Sequence, residues 1–435
     1  KKGYLWSIGI WSVGACLHAV CGIATEWWVG VDDAAALAAV KDAKTIATII
    51  SVSVTMFIFA RLILAIGEAG NFPAAIKATA EYFPKKDRAL ATSVFNAGAT
   101  AGALIAPLSI PLIAKHWGWE AAFLIIGALG FIWMGFWVFL YKKPEKNPKV
   151  NAAELAYIQQ DQACDSVAEH EVVEEEKGAE KKLTFWQCFG FKQTWSFAMG
   201  KFLTDGVWWF FLFWTPAYLS QVYNMPSDDP KAQFAIFVLY AITLISIFSG
   251  GWLPKYFIEK KGMNPYAGRM RAMLIFAFFP LLALLAQPLG YMSYWFPIII
   301  IGIAGAAHQS WSANIFSTVS DMFPKSAVAT ITGIGGMAGG IGSYLINKGS
   351  GRLFDFTHKT WSTVDGVPFL ERFPEYVSQP IPEGFFKGLV ANGSEVVDGI
   401  SQGYMIIFSI CAVAYLIGCI IMKALVPKYK IITVD

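Results

Sequence analysis

Ten long apolar segments constrain the fold of this 435-residue chain more than any other feature of its sequence. A helix needs roughly 20 apolar residues to cross the hydrocarbon core of a bilayer, and each segment has about that length. Backbone groups inside a bilayer find no water, so such segments cross it as helices. The predicted spans are 4–25, 48–72, 90–114, 120–141, 195–221, 233–254, 272–289, 292–316, 328–347 and 402–426. The sequence therefore predicts an all-α integral membrane protein.

The distribution of Lys and Arg predicts how these spans are oriented. Positive residues collect in cytoplasmic loops. If Lys1 starts in the cytoplasm, the inner segments hold 21 Lys and Arg and the outer segments nine. Eight of the inner ones lie in 142–194 alone. We therefore expect a multi-pass protein of the inner membrane with both termini of the chain in the cytoplasm.

A polar segment divides the predicted spans into a group of four and a group of six. We expect an N-terminal helix bundle over 1–141, a cytoplasmic linker over 142–194 and a C-terminal bundle over 195–435 that includes a long extracytoplasmic loop, 348–401. The linker contains NAAELAYIQQ, which predicts a short surface helix, followed by EHEVVEEEKGAEKK, which is too polar to form a core and is expected to be flexible. The second span is expected to continue past Pro73 as a more polar helix that ends near Phe83.

Similar stretches occur in the two groups of spans. EYFPKKDRALA begins at Glu81, and DMFPKSAVATI begins at Asp321. In both, a helix end meets Phe-Pro, a Lys and then a span of small residues, as is typical of transporters built from repeats. Pairing the loops of the two groups implies a layout of twelve spans. We therefore expect two further helices before Lys1 in the parent protein.

Arg61 and Glu68 lie inside an otherwise apolar run, RLILAIGEAGNFP. They are seven residues apart, which is nearly two helical turns, so they share one helix face about 10 Å apart. An unpaired charge near mid-span costs several kcal/mol, and such residues therefore tend to face a polar cavity. A guanidinium can hold a carboxylate by two parallel hydrogen bonds, and a partly dehydrated carboxyl can exchange a proton. The alternative is a structural charge pair that fixes helix packing.

Other polar residues inside the spans are candidates for weaker roles. Asp205 lies about ten residues into its span and could be a second proton-carrying carboxyl or a hydrogen-bond partner in helix packing. Asn96 could contact substrate or a neighbouring helix. Four residues of 292–316 could bind sugar hydroxyls and stack on a ring, or bond to neighbouring helices; they are His308, Gln309, Trp311 and Asn314.

The sequence contains no pattern typical of a catalytic or cofactor site. It has no Walker-type glycine loop, no HExxH and no Gly-x-Ser-x-Gly. GGMAGGIG lies inside a predicted span, where small residues serve close helix packing rather than dinucleotide binding. The six Cys lack metal-ligand spacing, and a net charge of +3 does not suggest nucleic acid. We expect neither an enzyme nor a cofactor or metal site.

Three stretches resemble one transporter family. RLILAIGEAGNFPAAIKATAEYFPKKDRALATSVFNAGATAGALIAP resembles the fourth and fifth helices of the anion:cation symporter branch of the major facilitator superfamily. GIAGAAHQSWSANIFSTVSDMFPKSAVATITGIGG resembles the tenth and eleventh helices of its hexuronate transporters. FLTDGVWWFFLFWTPAYL resembles their seventh helix. The resemblance implies the transporter fold of that superfamily, with ten of its twelve transmembrane helices present. It places Arg61 at the substrate-binding arginine and Glu68 at the proton-coupling glutamate.

The resemblance also implies an activity. It is a proton-coupled symport of a hexuronate-like sugar acid, such as galacturonate or glucuronate, by alternating access. The expected partners are this organic anion, protons and the lipid bilayer, and we expect a monomer. The family's first helix carries an acidic residue, and often an arginine, that this chain does not supply. The alternatives are a symporter of another organic anion and a non-transporting sensor on the same fold. The segment 142–194 is too short and polar for a signalling domain.

Overall fold

The computed structural model of the chain describes residues 2–30, 40, 42–84, 86–169, 183–226, 229–379, 381–382 and 384–432. Helices dominate these residues, as predicted. In chain order, the first α-helices are α1 (Lys2–Val29), α2 (Ala43–Glu68), α3 (Asn71–Tyr82), α4 (Arg88–Trp117), α5 (Trp119–Leu140), α6 (Ala152–Glu169), α7 (Lys192–Tyr223), α8 (Pro230–Thr243), α9 (Ser246–Glu259), α10 (Pro265–Phe278), the short α11 (Ala286–Gly290), α12 (Trp295–Met322) and α13 (Lys325–Thr360). A small sheet follows, with β1 (Thr363–Val364), β2 (Val367–Pro368) and β3 (Val396–Val397), interleaved with α14 (Phe369–Arg372) and α15 (Phe385–Ala391), before α16 (Ile400–Leu425).

Each of the ten predicted spans coincides with a helix or with a consecutive pair of helices. Within the described residues, seven helical runs are long and apolar enough to cross a membrane by length and composition. The other three predicted spans correspond to α7, α12 and α13, which are richer in polar residues and glycine. The predicted continuation beyond Pro73 is confirmed as α3. The surface-helix prediction for NAAELAYIQQ is confirmed by α6, whereas 170–182 of the acidic stretch lies outside the described residues.

The predicted span 272–289 is not one regular helix. α10 ends at Phe278, and a 3-10 helix over Phe279–Leu285 leads into the short α11. Pro280 lies at the start of this 3-10 segment. A proline removes one backbone donor and clashes with the preceding turn, so it interrupts the α-helical hydrogen-bond ladder.

The chain divides into two compact units. Unit 1 comprises Lys1–Pro84, Ile105–Glu180 and Lys325–Gly333, and unit 2 comprises Lys85–Leu104, Lys181–Pro324 and Ile334–Asp435. The division into bundles over 1–141 and 195–435 with a linker over 142–194 stays a prediction.

Unit 1 packs α1 against α2 and α5 through small residues. A Cβ added to Gly67 on α2 would lie 2.2 Å from the backbone nitrogen of Trp11. A Cβ on Gly14 of α1 would lie 2.5 Å from the Cα of Leu64. The Ser7 hydroxyl also donates a hydrogen bond to the Gly67 carbonyl. Helix backbones approach this closely only where side chains are absent, as in other membrane helix pairs.

The predicted outer loop 348–401 differs from the observed structure in two ways. α13 continues to Thr360, past the predicted span end at residue 347, and its last turn carries His358 and Lys359. Basic side chains there interact favourably with the helix dipole, which offsets the low hydropathy of the segment. The remainder is folded around a three-stranded antiparallel sheet in the order β2-β1-β3. Val364 of β1 and Phe369 just after β2 are fully buried, so this part of the loop has a small core of its own.

The turn between β1 and β2 is formed by Asp365 and Gly366, which have φ values of 53° and 78°. Positive φ at both positions is the geometry of a two-residue hairpin, which favours Asp-Gly. Arg372 donates a hydrogen bond to the Asp365 carboxylate, and the Glu395 backbone N–H donates another at 2.7 Å. These bonds, that of Arg372 above all, lower the pKa of Asp365. The carboxylate thus connects the hairpin to the strand region beyond α15.

Candidate substrate and coupling residues

The two charges on α2 lie in unit 1 and are exposed there. α2 begins after Asp42, whose side chain caps the helix by accepting from the Thr45 backbone N–H at 2.8 Å. Arg61 lies in the third quarter of the helix, and Glu68 is its last residue. Neither side chain forms an ion pair or hydrogen bond within the described part of the chain. A structural pair between them is therefore not formed, and both stay predicted functional residues.

Asp205 lies on α7 in unit 2 and forms an ion pair that the sequence analysis did not assign. Its carboxylate lies 2.7 Å from Lys201 Nζ, one helical turn earlier, and the two side chains are 14% and 7% exposed. The Lys201 ammonium also lies 4.2 Å from the centre of the Phe316 ring. The i, i+4 spacing of Lys and Asp is a signal of helix-face pairing that could have predicted this contact.

His308 is held by two neighbouring helices. Its Nδ1 lies 2.6 Å from the Tyr415 hydroxyl on α16, and its ring stacks on Trp208 of α7 with centroids 5.3 Å apart. The Tyr415 hydroxyl also lies 3.3 Å from the Thr204 carbonyl. Trp311 packs edge-on to Tyr415 at 5.5 Å. His308 and Trp311 thus belong to one aromatic cluster, in which Trp208 and Tyr415 are members that the sequence analysis missed.

Three amides complete the predicted set, and they differ in their hydrogen bonds. Asn314 donates from Nδ2 to the carbonyls of Gly250 and Ser310, at 2.9 and 2.8 Å, which is the packing role weighed as its alternative. Asn96 is 3% exposed, and neither of its amide atoms has a partner among the described residues. The buried Gln309 side chain also makes no hydrogen bond within the described residues. An unsatisfied buried polar group costs about 1–3 kcal/mol, so Asn96 is the amide with most to gain from a polar ligand.

The Asn96 amide shares one face of α4 with two hydroxyls that also lack a partner among the described residues. Ser93 and Thr100 lie three residues before it and four after it, and both hydroxyls are buried without a partner in the described structure. A Cβ on Gly250 of α9 would lie 2.7 Å from the Ser93 oxygen, so α4 and α9 approach closely here. The sequence analysis named Asn96 but missed the two hydroxyls.

Unit 1 also contains a cavity of about 350 Å³. Aromatic side chains of α1 and α5 form much of its wall, including Tyr4, Trp11 and Trp133, and Asn71 contributes from α3. None of the predicted site residues lines it. We assign it no role in binding.

Comparison with known proteins decides the family. The family model described as Major Facilitator Superfamily matches residues 1–346. The chain belongs to this superfamily. The solved structure of the proton:xylose symporter XylE bound to 6-bromo-6-deoxy-D-glucose is similar with a TM-score of 0.57 over 98% of this chain and 83% of that one, at 16% identity. This likeness shows the transporter fold predicted from the sequence.

Several curated relatives have sugar-acid names. The hexuronate transporter of Escherichia coli K12 is 32% identical over 293 residues, which is 66% of this chain and 64% of that protein. The galacturonate transporter of Dickeya chrysanthemi is 32% identical over 211 residues, 48% of this chain and 58% of that protein. The probable galactarate/D-glucarate transporter GarP of E. coli K12 is 24% identical over 363 residues, which is 82% of this chain and 74% of that protein. The chain thus spans less than two thirds of the length of the first two relatives.

Proposed function

We propose that the protein is a secondary transporter that carries a hexuronate-like sugar acid across the membrane together with protons, by alternating access. The observation that carries the proposal is Arg61, an exposed guanidinium without a partner among the described residues, inside an apolar helix. A charge there is costly unless it serves a polar ligand. The 32% identity to proteins named hexuronate and galacturonate transporters supports the choice of a carboxylated sugar. No enzymatic activity is proposed.

In this proposal, Arg61 binds the substrate carboxylate. Its planar fork of donors matches the two carboxylate oxygens. Asn96 and Gln309 offer amide donors and acceptors that suit sugar hydroxyls. His308, Trp311 and Asn314 are kept as predicted ligands, although His308 and Asn314 already bond to neighbouring helices.

Glu68 and Asp205 are the proposed proton carriers. Glu68 is unpaired within the described residues, so protonation breaks no observed ion pair. Asp205 is paired with Lys201, so protonation of Asp205 removes the counter-charge of the Lys201 ammonium.

Substitution of Glu68 by Gln in the purified full-length protein, reconstituted in liposomes, tests the coupling role. Glutamine imitates the neutral carboxyl permanently, so the carrier is expected to retain galacturonate counterflow but to lose uphill uptake driven by a pH gradient. Glu26→Gln, a carboxyl change on α1 of the same unit, is the matched control and is expected to leave both assays unchanged. Intact proton-driven uptake in Glu68→Gln would remove Glu68 from the mechanism. Loss of counterflow as well would indicate a structural role.

A second candidate is a symporter of a related sugar acid. The relative named as a probable galactarate/D-glucarate transporter covers more of this chain than the hexuronate transporter does, at lower identity. Competition of labelled galacturonate uptake by galactarate, galactonate and neutral galactose separates the two candidates. Stronger competition by galactarate would favour the dicarboxylate. Binding without uptake of any of them would favour a sensor.

We also propose the orientation predicted from the loop charges, with 142–194 and both termini in the cytoplasm, and a monomeric protein. A cysteine placed at Glu145 is expected to resist a membrane-impermeant maleimide in intact cells, whereas one at Glu375 is expected to react. The reverse pattern would overturn the orientation. Light scattering of the detergent complex measures the oligomeric state.

A further inference from the structure

We infer that Lys201 is an anion-binding residue of unit 2. When Asp205 accepts a proton, its ion pair with Lys201 breaks, and the substrate carboxylate becomes the counter-ion of Lys201. This inference rests on the proposed function and adds to it a second cationic ligand for the carboxylate, which acts in a different substrate-bound state from the one in which Arg61 binds it. It also gives a reason why one anion moves with one proton at this position.

The geometry of the pair indicates a role other than holding helices together. Lys201 and Asp205 lie on the same helix, so their ion pair ties no two helices to each other. The chain also contains an ion pair of the tethering kind. Arg269 on α10 and Asp321 on α12 are joined at 2.6 Å, and both side chains are fully buried. Burying an intrahelical ion pair also costs desolvation free energy, but such a pair does not join two helices in exchange for that cost.

Asp205 is held by one bond only. Lys201 is its only ion-pair or hydrogen-bond partner among the described residues, whereas Arg269 reaches both oxygens of Asp321. Its carboxylate lies against Gly339 of α13, where an added Cβ would be 2.2 Å from Oδ2. A glycine therefore leaves room for the carboxylate but gives it no hydrogen-bond donor. Protonation of Asp205 breaks a single contact and leaves a neutral acid in an apolar setting, which burial favours.

The Lys201 ammonium keeps a favourable contact with an aromatic ring after its ion pair with Asp205 breaks. Its ammonium lies over the face of the Phe316 ring at 4.2 Å. A cation over an aromatic face is attracted by the ring quadrupole, most strongly where water is excluded. The ring thus holds the ammonium where it is, still charged, and a carboxylate from the substrate can replace that of Asp205.

The exchange conserves charge. Without substrate, the pair holds one ammonium and one carboxylate. With substrate, it holds the ammonium, the substrate carboxylate and a neutral Asp205 that has gained one proton from hydronium in the aqueous phase. Loss of that proton restores the Asp205 carboxylate, which again competes for Lys201 and expels the anion. The buried position is therefore neutral overall in both states, so neither state carries an uncompensated charge inside the membrane.

Among the residues that the structure describes, two titratable groups on neighbouring helices interact electrostatically with the pair. His308 of α12 interacts with Lys201, and Tyr415 of α16, which lies beside Cys411, interacts with Asp205. α13 contributes Gly339 at this point instead of a charge. Only the imidazole has an ordinary ionisation near neutral pH, so His308→Gln is included to remove its contribution to any pH dependence.

The test measures galacturonate binding to the purified protein at pH 5.5 and pH 8, together with thermal stability. Asp205→Asn is expected to bind with an affinity that depends less on pH, and more tightly than wild type at pH 8, because the competing carboxylate is gone. Lys201→Met is expected to lose at least about tenfold in affinity, as for a hydrogen bond to a charged group. The double variant Lys201→Met/Asp205→Asn is expected to fold but not to recover binding. Lys192→Met, at the exposed start of the same helix, is the control.

Each outcome decides the question. Recovery of binding by the double variant would mean that the pair is structural and would overturn the inference. Lys201→Met with the affinity and pH dependence of wild type would also overturn the inference. That result would leave the proposal of hexuronate transport standing. If wild type binds galactarate or galactonate but not galacturonate, the hexuronate proposal fails, and the same variants test Lys201 with that anion. Binding of none of these carboxylates would overturn both.

Discussion

The buried ion pair between Arg269 and Asp321 offers a quantitative test of how unit 2 is held together. Arg269 Nε lies 2.6 Å from Asp321 Oδ2, Nη2 lies 3.4 Å from Oδ1, and both side chains are 0% exposed. Asp321→Asn preserves the shape of the side chain but leaves the guanidinium buried without its counter-charge. Breaking a buried pair in this way costs about 3–5 kcal/mol. The unfolding equilibrium should therefore shift by roughly two to four powers of ten.

The double variant Arg269→Met/Asp321→Leu removes both charges together. Replacing a buried pair by apolar residues of similar volume is often neutral, so its free energy of unfolding should lie within about 1–2 kcal/mol of wild type. The backbone carbonyl of Asp321, which accepts a hydrogen bond from the Tyr429 hydroxyl at 3.1 Å, is unchanged by the substitution. The two variants therefore differ in the uncompensated charge and not in this contact.

The assay is unfolding in mixed micelles of a mild detergent and dodecyl sulfate, followed by circular dichroism. The ion pair of Lys255 with Asp87 serves as a matched control, since the Lys255 side chain is 36% exposed. Lys255→Met should cost less than about 1 kcal/mol. The reasoning is refuted if Asp321→Asn unfolds within about 1 kcal/mol of wild type, or if the double variant is as unstable as the single one.

Three further predictions concern unit 1 and the outer loop. Gly67→Ala should destabilise the protein because its Cβ would meet the backbone of α1, whereas Gly135→Ala, with nothing within 4 Å, should not; thermal unfolding of both checks this. Arg61→Lys keeps the charge but loses the guanidinium fork, so galacturonate uptake should weaken strongly, and near-normal affinity would mean that Arg61 is not a bidentate ligand. The lowered pKa of Asp365 stabilises the hairpin above the pKa of an unfolded aspartate, and this contribution is lost as pH falls through the lowered value. Pepsin should therefore cleave the loop faster below about pH 4, whereas Asp365→Asn, without the Arg372 ion pair, should lack this acid step.

The spans could be predicted from the sequence because hydropathy over 20 residues does not depend on distant contacts. The full length of α13 could not. Its segment GSGRLFDFTHKT has neither the apolar length of a span nor a strong helix signal, and the predicted loop began at its first residues. The helix continues because it leaves the apolar region with charges that suit a helix end.

The candidate site shows a similar limit. Arg61 and Glu68 stand out because charges are rare in apolar runs, and this signal is local. The contact of His308 with Tyr415 joins residues 107 positions apart in the sequence, so no spacing rule could have found it. The ion pair of Lys201 with Asp205 could have been predicted, since the two residues are only four positions apart on one helix. Asn96 and Asn314 look alike in sequence, and only the observed hydrogen bonds separate the unsatisfied amide from the packed one.

The length of α13 has a mechanical consequence. Its 36 residues span about 54 Å as a helix, whereas the hydrocarbon core of a bilayer is about 30 Å thick. At its last turn, His358 lies 2.7 Å from Asp398, just before α16 begins, and Ser362 accepts from the Gly399 backbone N–H at 2.9 Å. The folded loop is thus hydrogen-bonded both to the end of α13 and to the start of α16. Because α13 is so long, a small tilt of this helix would displace its C-terminal end by several ångströms, and a fluorophore on the loop could report that tilt.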